Sequence, residues 1–450
     1  MIGQRAKQIA RWFYPGLGVK RWLVMAILGA ILFVNGLNRW LTAEGAHFEI
    51  NTWVDETLDG YLPLAWLQWI FMAGGAILVA VGMRQWMHSI VDALTPDRKD
   101  RIVDALFASR LRAGYRIVAV GGGTGLSTLL RGLKRYTHNL TAVVTVSDDG
   151  GSSGRLQKEL GILPPGDLRN CLVALADDEA LVTDLFQYRF HEGEGLSGHS
   201  FGNLFLAAMT GVTGNFDTAV KESSRVLNIK GRVLPATLAV TWLRATMEDG
   251  TIIEGESAIT QARRKIESIT LEPEHSAPLG EVIDAIRTAD AIVLGPGSLY
   301  TSILPNLLVD RISREIESAN AVKVFVTNVM TQPGETDDFK ASRHLEVLLA
   351  HAGAKVCDYV IVNSQPPRRL RDVYAEEGQI WVEPDVEAIK KLGVRPVLAD
   401  VIGETTNVRH DPDRLAEVVI DLIAEAIAER ATFVKRAPPA PTVAPPAASL

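Results

Sequence analysis

The sequence contains little cysteine and no surplus of positive charge. Its 450 residues include two cysteines, Cys171 and Cys357, which stand apart in apolar stretches without CxxC spacing. This usage excludes a disulfide scaffold and fits reduced core thiols in a cytoplasmic domain. The formal net charge is −7, so the chain lacks the basic field of nucleic-acid-binding proteins. An anionic ligand must therefore be held by local groups.

Short motifs of common metal and catalytic sites are also scarce. The sequence has no HExxH motif and no cysteine/histidine cluster with zinc-ligand spacing. No nucleophile arrangement emerges from the pattern of serines, histidines and acids. The residues therefore favour recognition of a ligand over any particular reaction.

The first hundred residues have the composition of a membrane hairpin. Seven of the nine tryptophans precede residue 87, beside two long apolar runs at about 22–41 and 61–83. Each run has the roughly 20 residues needed to cross a bilayer core. Lysines and arginines flank the pair, whereas the connecting residues 42–60 carry only acidic charges. The positive-inside rule then predicts a plasma-membrane hairpin at 1–91, with both chain ends in the cytoplasm.

A cleaved signal peptide is the alternative, but its apolar core would be shorter and no second span would follow. Residues 92–112 are charged and compatible with a juxtamembrane linker near lipid headgroups. Residues 113–435 form the predicted large domain. Residues 436–450 are rich in proline and alanine and are predicted to be disordered.

The large domain has the pattern of an α/β fold. Short apolar, β-branched runs occur at 116–120, 141–146, 291–294, 323–329 and 359–362, with helical patterns between them. Such runs predict a mainly parallel sheet covered by helices on both faces. Asp249 and Gly250 separate two further strand-like runs and predict a small insert that contains a β-hairpin.

The first strand runs into a glycine-rich loop. Gly122, Gly123, Thr124 and Gly125 lead into a helix, so backbone N–H groups and the helix N-terminus can face an anion. The loop is not a GxGxxG fingerprint, because Leu126 stands where the third glycine would be, and it is not a Walker motif. A tight turn without a ligand is the alternative.

The second strand ends in a loop with two carboxylates and small polar residues. The candidate ligand contacts there are Asp148, Asp149, Gly150, Gly151, Ser152 and Ser153. Ligands bind at the carboxyl edge of open α/β sheets, so we expect this loop at the site. The aspartates can bind Mg²⁺, orient a hydroxyl group, or merely cap the turn.

A later strand leads into a second glycine loop. Its candidate contacts are Gly295, Pro296, Gly297, Ser298, Tyr300, Thr301 and Ser302. Their N–H and hydroxyl groups can grip a diphosphate. Tyr300 can stack on a base or bond a sugar, although a half-buried loop tyrosine is the alternative. Asn203 adds a polar group at the start of an apolar helix, and Asp167 is expected to be a helix N-cap.

Six motifs in order resemble the gluconeogenesis-factor (YvcK) family, which belongs with the CofD-type 2-phospho-L-lactate transferases. The motifs are GGGTGLSTLLRGLK, TVSDDGGSSGRL, LPPGDLRNCLVAL, GHSFGNL, LGPGSLYTSILPNLL and NVMTQPGETDDF. The resemblance covers about Tyr115 to Val434. It implies a Rossmann-like fold, a site for UDP-GlcNAc and related UDP-sugars, and a role in cell shape and carbon-source adaptation.

The resemblance also implies where the ligand binds. It places uridine-nucleotide and sugar contacts on the Gly122–Gly125 loop, the Asp148–Ser153 loop, Asn203 and Gly295–Ser302, with Tyr300 as the sharpest single contact. CofD enzymes join a phospholactyl group to a deazaflavin with a guanine nucleotide and Mg²⁺, and Asp148 and Asp149 resemble their aspartate pair. The GGSSG stretch is more similar to the regulatory branch.

Two functions follow as hypotheses. The first is a membrane-tethered, non-catalytic regulator of envelope growth that binds a UDP-sugar. It would act on a protein partner that the sequence does not identify, and it could also form a homo-oligomer. The second is a Mg²⁺-dependent transferase of the CofD type, with the aspartate pair positioning metal and acceptor. A membrane scaffold with a vestigial pocket is a third reading. Fold alone does not decide among them, because one architecture hosts many functions.

Overall fold

The structure is a computed structural model that describes residues 19–43, 64–94, 111, 113–177, 179–404 and 407–436. It divides into two compact units, residues 1–107 and residues 108–450. The predicted acidic loop 42–60, linker 92–112 and tail 436–450 lie largely outside the described residues.

The first unit contains two long helices, α1 (Val19–Ala43) and α2 (Leu64–Leu94). Each holds a stretch long and apolar enough to cross a membrane, judged by length and composition: residues 21–38 with mean hydropathy 1.5, and residues 68–87 with mean hydropathy 1.4. Large apolar side chains point outward from the pair, among them Val34, Trp66 and Ile77, each more than 60% exposed. An apolar exterior of this kind is a property of lipid-facing helix pairs.

Four glycines let the two helices approach closely. Gly29 and Gly36 lie seven residues apart on α1, and Gly75 and Gly82 lie seven apart on α2, so each pair shares one helix face. A Cβ atom added at Gly75 would lie 2.5 Å from the Phe33 nitrogen. Small residues at such contacts allow backbones to pack where no hydrophobic effect drives association.

The hairpin contact yields a prediction with a neighbouring control. We expect Gly75→Val to separate α1 from α2, because the new side chain has no space, at a cost of at least about 1–3 kcal/mol typical of overpacking. Gly74→Val is the control, since a Cβ atom at Gly74 meets nothing within 4 Å. The measurement is a titration of residues 1–107 in mild detergent with SDS, in which tryptophan fluorescence reports the separation of the helices. Equal midpoints for both variants would contradict the glycine contact.

The second unit is built on a seven-stranded parallel sheet with strand order β10-β9-β8-β7-β1-β2-β3. Its strands are β1 (Ile117–Gly121), β2 (Leu140–Val144), β3 (Arg232–Pro235), β7 (Ala291–Leu294), β8 (Val322–Val326), β9 (Tyr359–Asn363) and β10 (Arg395–Ala399). An antiparallel insert consists of β4 (Trp242–Met247), β5 (Ile252–Glu254) and β6 (Ile266–Glu272), and a hairpin pairs β11 (Ile402–Glu404) with β12 (Val408–His410).

Helices follow most strands. They are α3 (Gly123–Leu133), α4 (Gly151–Leu160), α5 (Gly166–Leu175), α6 (Glu179–Gln187), α7 (Phe201–Thr213), α8 (Phe216–Val226), α9 (Glu256–Ala262), α10 (Gly280–Thr288), a π-helical turn (Leu299–Ile303), α11 (Leu304–Leu308), α12 (Ile312–Ser318), α13 (Ala341–Ala352), α14 (Arg371–Glu376), α15 (Val386–Lys391) and α16 (Pro412–Arg436).

The sheet separates two hydrophobic cores. Alternate residues of β1 point to opposite faces, with Val118 and Val120 in one core and Ile117 and Ala119 in the other. The first core includes the insert and α10 to α13, and the second includes α3, α5, α8 and α16. All five β1 residues are buried, which explains why the strand is a continuous apolar run.

The strand order changes direction between β1 and β7. From β1 the chain adds β2 and β3 on one side, and from β7 it adds β8, β9 and β10 on the other. The helices that follow these two adjacent strands pack on opposite faces of the sheet, α3 in the second core and α11 in the first. Crevices at such switch points are where open α/β sheets bind ligands.

The expected α/β fold with a Rossmann-like parallel sheet is confirmed, and so is the hairpin-containing insert, whose β4 and β5 pair in antiparallel fashion. Sequence patterns did not reveal β3 or β10. Both are edge strands, and each contains an arginine and a proline. Proline is tolerated on edge strands, where its missing N–H costs no ladder bond.

Candidate functional site

The two predicted glycine loops meet at the switch point. A Cβ atom on Gly125 would lie 2.8 Å from the Gly297 Cα atom, so the first turn of α3 packs directly on the loop after β7. The Asn306 side chain fixes the two segments, because its Nδ2 atom donates to the Gly121 carbonyl at 3.1 Å and to the Ser302 carbonyl at 2.8 Å. Backbone atoms make the contact between the two loops, so a residue larger than glycine does not fit at Gly125.

A cavity of about 400 Å³ opens beside this contact. Its lining includes Gly122–Gly125 from the first loop, and Pro296, Gly297, Ser298, Thr301 and Ser302 from the second. Residues 328–332 after β8, the β12 residues 408–410 and Glu256 of α9 complete much of the wall. The volume lies within the range of small-molecule sites. The structure thus gathers most of both predicted glycine loops around one cavity.

The start of α3 is electrically suited to an anion. The helix begins inside the glycine run, at Gly123, and the preceding Gly122 supplies no side-chain cap. The partial positive charge of a helix N-terminus is therefore not met by a capping oxygen of its own loop. In the second loop Ser298 accepts hydrogen bonds from the Thr301 nitrogen at 3.1 Å and the Thr301 hydroxyl at 2.9 Å, which holds that loop in shape.

Carboxyl groups surround this anion-binding geometry. Asp167 contacts Gly122 and accepts a hydrogen bond from the Gly123 nitrogen. Burial, reinforced by the nearby Asp148 carboxylate, raises the pKa of Asp167 to about 7. Asp167 is the second residue of α5 and makes no capping bond, so the expectation that it caps this helix is wrong.

Two glutamates on the cavity wall, Glu256 and Glu335, also have pKa values raised by burial. Burial, with added repulsion from Asp148 and Asp167, raises the pKa of Glu256 to about 9. Burial raises the pKa of Glu335, partly offset by hydrogen bonds from the Ser298 and Thr260 hydroxyls. Protonated carboxyls are neutral and can donate hydrogen bonds, so they do not repel a bound anion as carboxylates would.

Asp148 and Asp149 turn to different partners. Asp148 Oδ1 accepts from the Gly150 nitrogen at 2.9 Å, and Asp149 Oδ1 accepts from the Ser257 nitrogen of α9 at 2.9 Å. Among the described residues, no group of three or more histidine, cysteine or acidic side chains is placed to hold a metal ion. Mg²⁺ binding by this pair stays a prediction that the side-chain directions do not favour.

Asn203, Ser152 and Ser153 form a buried network next to the cavity. Asn203 Nδ2 donates to Ser152 Oγ at 3.1 Å and lies 3.4 Å from Ser153 Oγ. The Arg169 guanidinium donates to Asn203 Oδ1 at 2.9 Å and to Ser200 Oγ at 2.6 Å. All five side chains are buried. The network joins the start of α4 to the start of α7, so these residues support the site instead of lining it.

The network contains a serine–histidine pair that the sequence analysis missed. Gly150 to Gly154 has GxSxG spacing, and Ser152 Oγ lies 2.9 Å from His199 Nδ1. Burial lowers the pKa of His199, which favours the neutral imidazole. Ser152 and His199 are 4% and 2% exposed, and neither lines the cavity. The hydroxyl is therefore not presented to a substrate as a nucleophile elbow would present it.

Tyr300 is not in the cavity, contrary to the predicted stacking contact. The π-helical turn directs its ring into the core, where it is 1% exposed and lies edge-on to His351. Its hydroxyl is 3.4 Å from the Ile266 carbonyl, and burial raises the pKa of Tyr300 to about 12. A ring in this position cannot stack on a ligand without leaving the core.

Arg409 is the functional candidate that sequence reasoning missed. It lies on β12 and is exposed, and among the described residues that line the cavity it is the one arginine or lysine. The adjacent His410 is buried, and burial lowers its pKa to about 4, so it adds no positive charge at neutral pH. No local motif marks Arg409, because the segment reaches the cavity only through the fold.

Comparison with known proteins gives the family. A family described as 2-phospho-L-lactate transferase CofD matches residues 117–402. The gluconeogenesis factor of Bacillus subtilis is 51% identical over 312 residues, which cover 69% of this chain and 98% of its own length. A relative from Nostoc sp. is 46% identical over 428 residues, covering 92% of this chain and 93% of its own length. A match of that extent reaches well into the first 107 residues.

A solved structure agrees with the fold. The crystal structure of a UPF0052-family protein from Bacillus halodurans has 49% identity and a TM-score of 0.66, covering 68% of this chain and 99% of its own. That relative folds without a counterpart of roughly the remaining third of this chain. The motifs, the parallel sheet and these relatives lead to one assignment: the chain belongs to the gluconeogenesis-factor family, within the wider CofD group.

Proposed function

We propose that the chain binds a UDP-sugar such as UDP-GlcNAc in the switch-point cavity and regulates envelope growth and carbon-source use through that binding, without turnover. The observation that carries the proposal is the junction of two glycine loops, where the start of α3, whose Gly123 nitrogen bonds Asp167, lines a cavity together with Arg409. The geometry of this junction suits a diphosphate group. The uridine and amino-sugar parts of the proposed ligand are inferred from the resemblance to the gluconeogenesis-factor family.

The diphosphate would sit on the two loops. The first-turn N–H groups of α3 and the hydroxyls of Thr301 and Ser302 line one side of the cavity. These groups supply donors and a favourable helix dipole for phosphate oxygens. Arg409, which is exposed and also lines the cavity, can form a bidentate pair with phosphate. Together they can hold an anion in a protein of net negative charge.

Amide and hydroxyl groups elsewhere on the wall suit the sugar or the base. Asn328, Thr331, Gln332 and Gln379 line the cavity. The Asn328 and Gln332 side chains bond each other at 3.2 Å, which orients them. Groups of this kind recognise hydroxyl and imide groups through directed hydrogen bonds. The arrangement fits a polar ligand with several donors and acceptors.

A binding role is favoured over a reaction by the residues on the wall. His410 is neutral and buried, and both cysteines are buried with pKa values raised by burial. The Ser152–His199 pair lies in the supporting network. A regulator that senses ligand concentration needs selective binding and no nucleophile, and the described residues of the cavity wall include no cysteine.

A CofD-type transferase is the second candidate, favoured by a specific observation. Asp148, Asp167 and Glu256 interact electrostatically beside the phosphate loops. Carboxylates next to a phosphate site can position a divalent cation and an acceptor hydroxyl. Titration with UDP-GlcNAc and with GDP, each with and without Mg²⁺, separates the two candidates. A preference for GDP that strictly requires Mg²⁺, or any product formed from the donor, would support the transferase.

Arg409 provides the first test of the cavity. We expect Arg409→Ala to weaken UDP-GlcNAc binding to residues 108–436 by about 10- to 100-fold, since a hydrogen bond to a charged group contributes about 1.5–3 kcal/mol. Arg409→Lys should recover part of the loss. Arg395→Ala is the control, because Arg395 is the first residue of β10, at the amino end of the strand, whereas the cavity lies at the carboxyl edge of the sheet. Arg395 pairs there with Glu429. Calorimetry measures all three, and an unchanged affinity for Arg409→Ala would remove Arg409 from the site.

The pH dependence tests the carboxyl groups. Asp167 and Glu256 bind protons more tightly in the folded protein than in the unfolded chain. Their contribution to stability is full at acidic pH and is lost as pH rises through about 7 and about 9. A bound diphosphate favours the protonated forms further. Affinity for UDP-GlcNAc should therefore fall as pH rises from 6 to 9.

Asp167→Asn isolates one of these groups. The amide can still accept from the Gly123 nitrogen but carries no charge at any pH. We expect a flatter affinity profile above pH 7 and a higher Tm at pH 8 to 9 than in the wild type. Glu194→Gln, in an exposed loop, is the control and should leave both profiles unchanged. A wild-type affinity that is constant across this range would argue against protonated carboxyls at the site.

We further propose that α1 and α2 form a transmembrane hairpin in the plasma membrane, with both chain ends in the cytoplasm. The basic flanks, the acidic residues 42–60 and the apolar exterior of the helix pair support this orientation. The full chain should stay in the pellet after carbonate extraction, and residues 108–436 should be soluble. A cysteine introduced at Ala46 should react with an impermeant maleimide on intact cells, whereas one at Ala105 should not. The reverse labelling would overturn the orientation.

A further inference from the structure

The short hairpin that carries Arg409 needs support from outside itself. β11 and β12 pair through three residue pairs, and this two-stranded sheet is separate from the seven-stranded sheet. An isolated hairpin of two strands is at best marginally stable in water. The contacts that β11 and β12 make with the rest of the larger unit therefore decide where Arg409 lies.

Glu404, the last residue of β11, makes directional contacts to the chain just ahead of α14. Its Oε1 atom accepts a hydrogen bond from the Arg368 nitrogen at 2.7 Å, and its Oε2 atom accepts from the Arg369 nitrogen at 2.6 Å and the Leu370 nitrogen at 3.3 Å. Successive backbone N–H groups of this kind form a concave site for an anion, and here the protein's own carboxylate occupies it. The bond from the Arg368 amide, with those from Arg369 and Leu370, lowers the pKa of Glu404, so the carboxylate is ionised at neutral pH.

The strand opposite Glu404 is bonded to the same part of the chain. In the hairpin register Glu404 pairs with Val408, and the Val408 nitrogen donates to the Tyr374 hydroxyl of α14 at 2.9 Å. Both members of this pair are therefore bonded to residues 368–374. Arg409, which lines the cavity, follows Val408 directly, so these bonds fix the backbone next to it.

An apolar cluster also holds the hairpin. Ile402 and Val408 pack with Val329 and Met330 in a cluster apart from the two main cores. Burial of apolar surface is non-directional, so this cluster keeps the hairpin at the wall of the cavity without selecting one placement of its strands. The hydrogen bonds of Glu404 are directional and select one.

We propose that Glu404 is a positioning residue for the ligand site: its carboxylate, held by the backbone N–H groups of residues 368–370, fixes β12 so that Arg409 lies on the cavity wall. Glu404 does not line the cavity itself, so it acts through Arg409. The inference rests on the proposed function, since the place of Arg409 matters only if the cavity binds an anion. A purely structural Glu404 would stabilise residues 368–376 without changing what Arg409 contributes to binding.

A double-mutant cycle on residues 108–436 separates these two roles. This unit folds without α1 and α2, since the relative from Bacillus halodurans matches this chain over 99% of its own length and covers 68% of this chain. We expect Glu404→Ala to weaken UDP-GlcNAc binding in calorimetry by at least about 5-fold, because hydrogen bonds to a charged group are among the stronger contacts in proteins. In the Arg409→Ala background the same change should cost less than about twofold, since residues that act through one another are not additive.

Two more variants test the charge and the location. Glu404→Gln keeps the shape of the side chain and one acceptor oxygen but loses the charge, so it should weaken binding less than Glu404→Ala. It takes the place of Glu404→Ala in the cycle if the Tm shows that the alanine variant does not fold. Glu376→Ala is the matched control, because Glu376 lies exposed on α14 in the same part of the chain, and it should bind as the wild type does.

Hydrogen exchange without ligand gives a readout that does not depend on the proposed function. Glu404→Ala should raise exchange at the amides of residues 368–370 and 408–410, and Glu376→Ala should not. Unchanged exchange at residues 408–410 would overturn the positioning role. So would an equal loss of affinity for Glu404→Ala in both backgrounds, or wild-type affinity for either Glu404→Ala or Arg409→Ala. If the wild type does not bind UDP-GlcNAc, the proposed function fails, and exchange at residues 408–410 alone decides whether Glu404 fixes β12.

Discussion

The close packing of backbone against backbone at the switch point is the constraint on which the site depends. A Cβ atom on Gly125 would clash with the Pro296 carbonyl oxygen and lie 2.8 Å from the Gly297 Cα atom, so a side chain at Gly125 would separate the loops. The polar groups that the two glycine loops offer are therefore mainly backbone N–H groups, whose positions are set by the sheet. Asn306 then adds two hydrogen bonds that hold the loops at this distance. The position of the cavity is thus a consequence of strand order and not of any single catalytic motif.

Local sequence patterns could predict this edge of the sheet because they report where buried strands end. Glycine-rich runs follow β1 and β7, and parallel strands bring their carboxyl ends to one edge. The same patterns could not predict which way a side chain turns. Tyr300 lies three residues after Gly297 in the second loop, yet the π-helical turn places its ring in the core. Asp167 had the sequence context of a cap, but tertiary packing sets it against the first glycine loop.

Residues brought from far along the chain were beyond local reasoning altogether. Arg409 comes from a hairpin more than a hundred residues after the second glycine loop, and Glu256 comes from the insert. Neither stands in a recognisable motif, so only the assembled fold shows that they share a wall. The GxSxG spacing is the opposite case, since a motif is present but its serine is buried in a supporting network. Motifs identify chemistry only when the fold presents them to a ligand.

The proposed function requires that a protein of net negative charge bind an anion. A cavity with several ionised carboxylates and one arginine would repel a diphosphate. Burial changes that balance, because it raises the pKa of Asp167 to about 7 and that of Glu256 to about 9, so both carboxyls bind protons more readily. The same burial lowers the free energy of unfolding at alkaline pH, because ionised carboxylates are then held in the protein interior. Relatives that match 98% or 99% of their own length to this chain cover 69% and 68% of it, so these carboxyl groups belong to the larger unit that those relatives share. Under the proposed function, the helix pair would determine where the protein acts, and the cavity of the larger unit would hold the ligand.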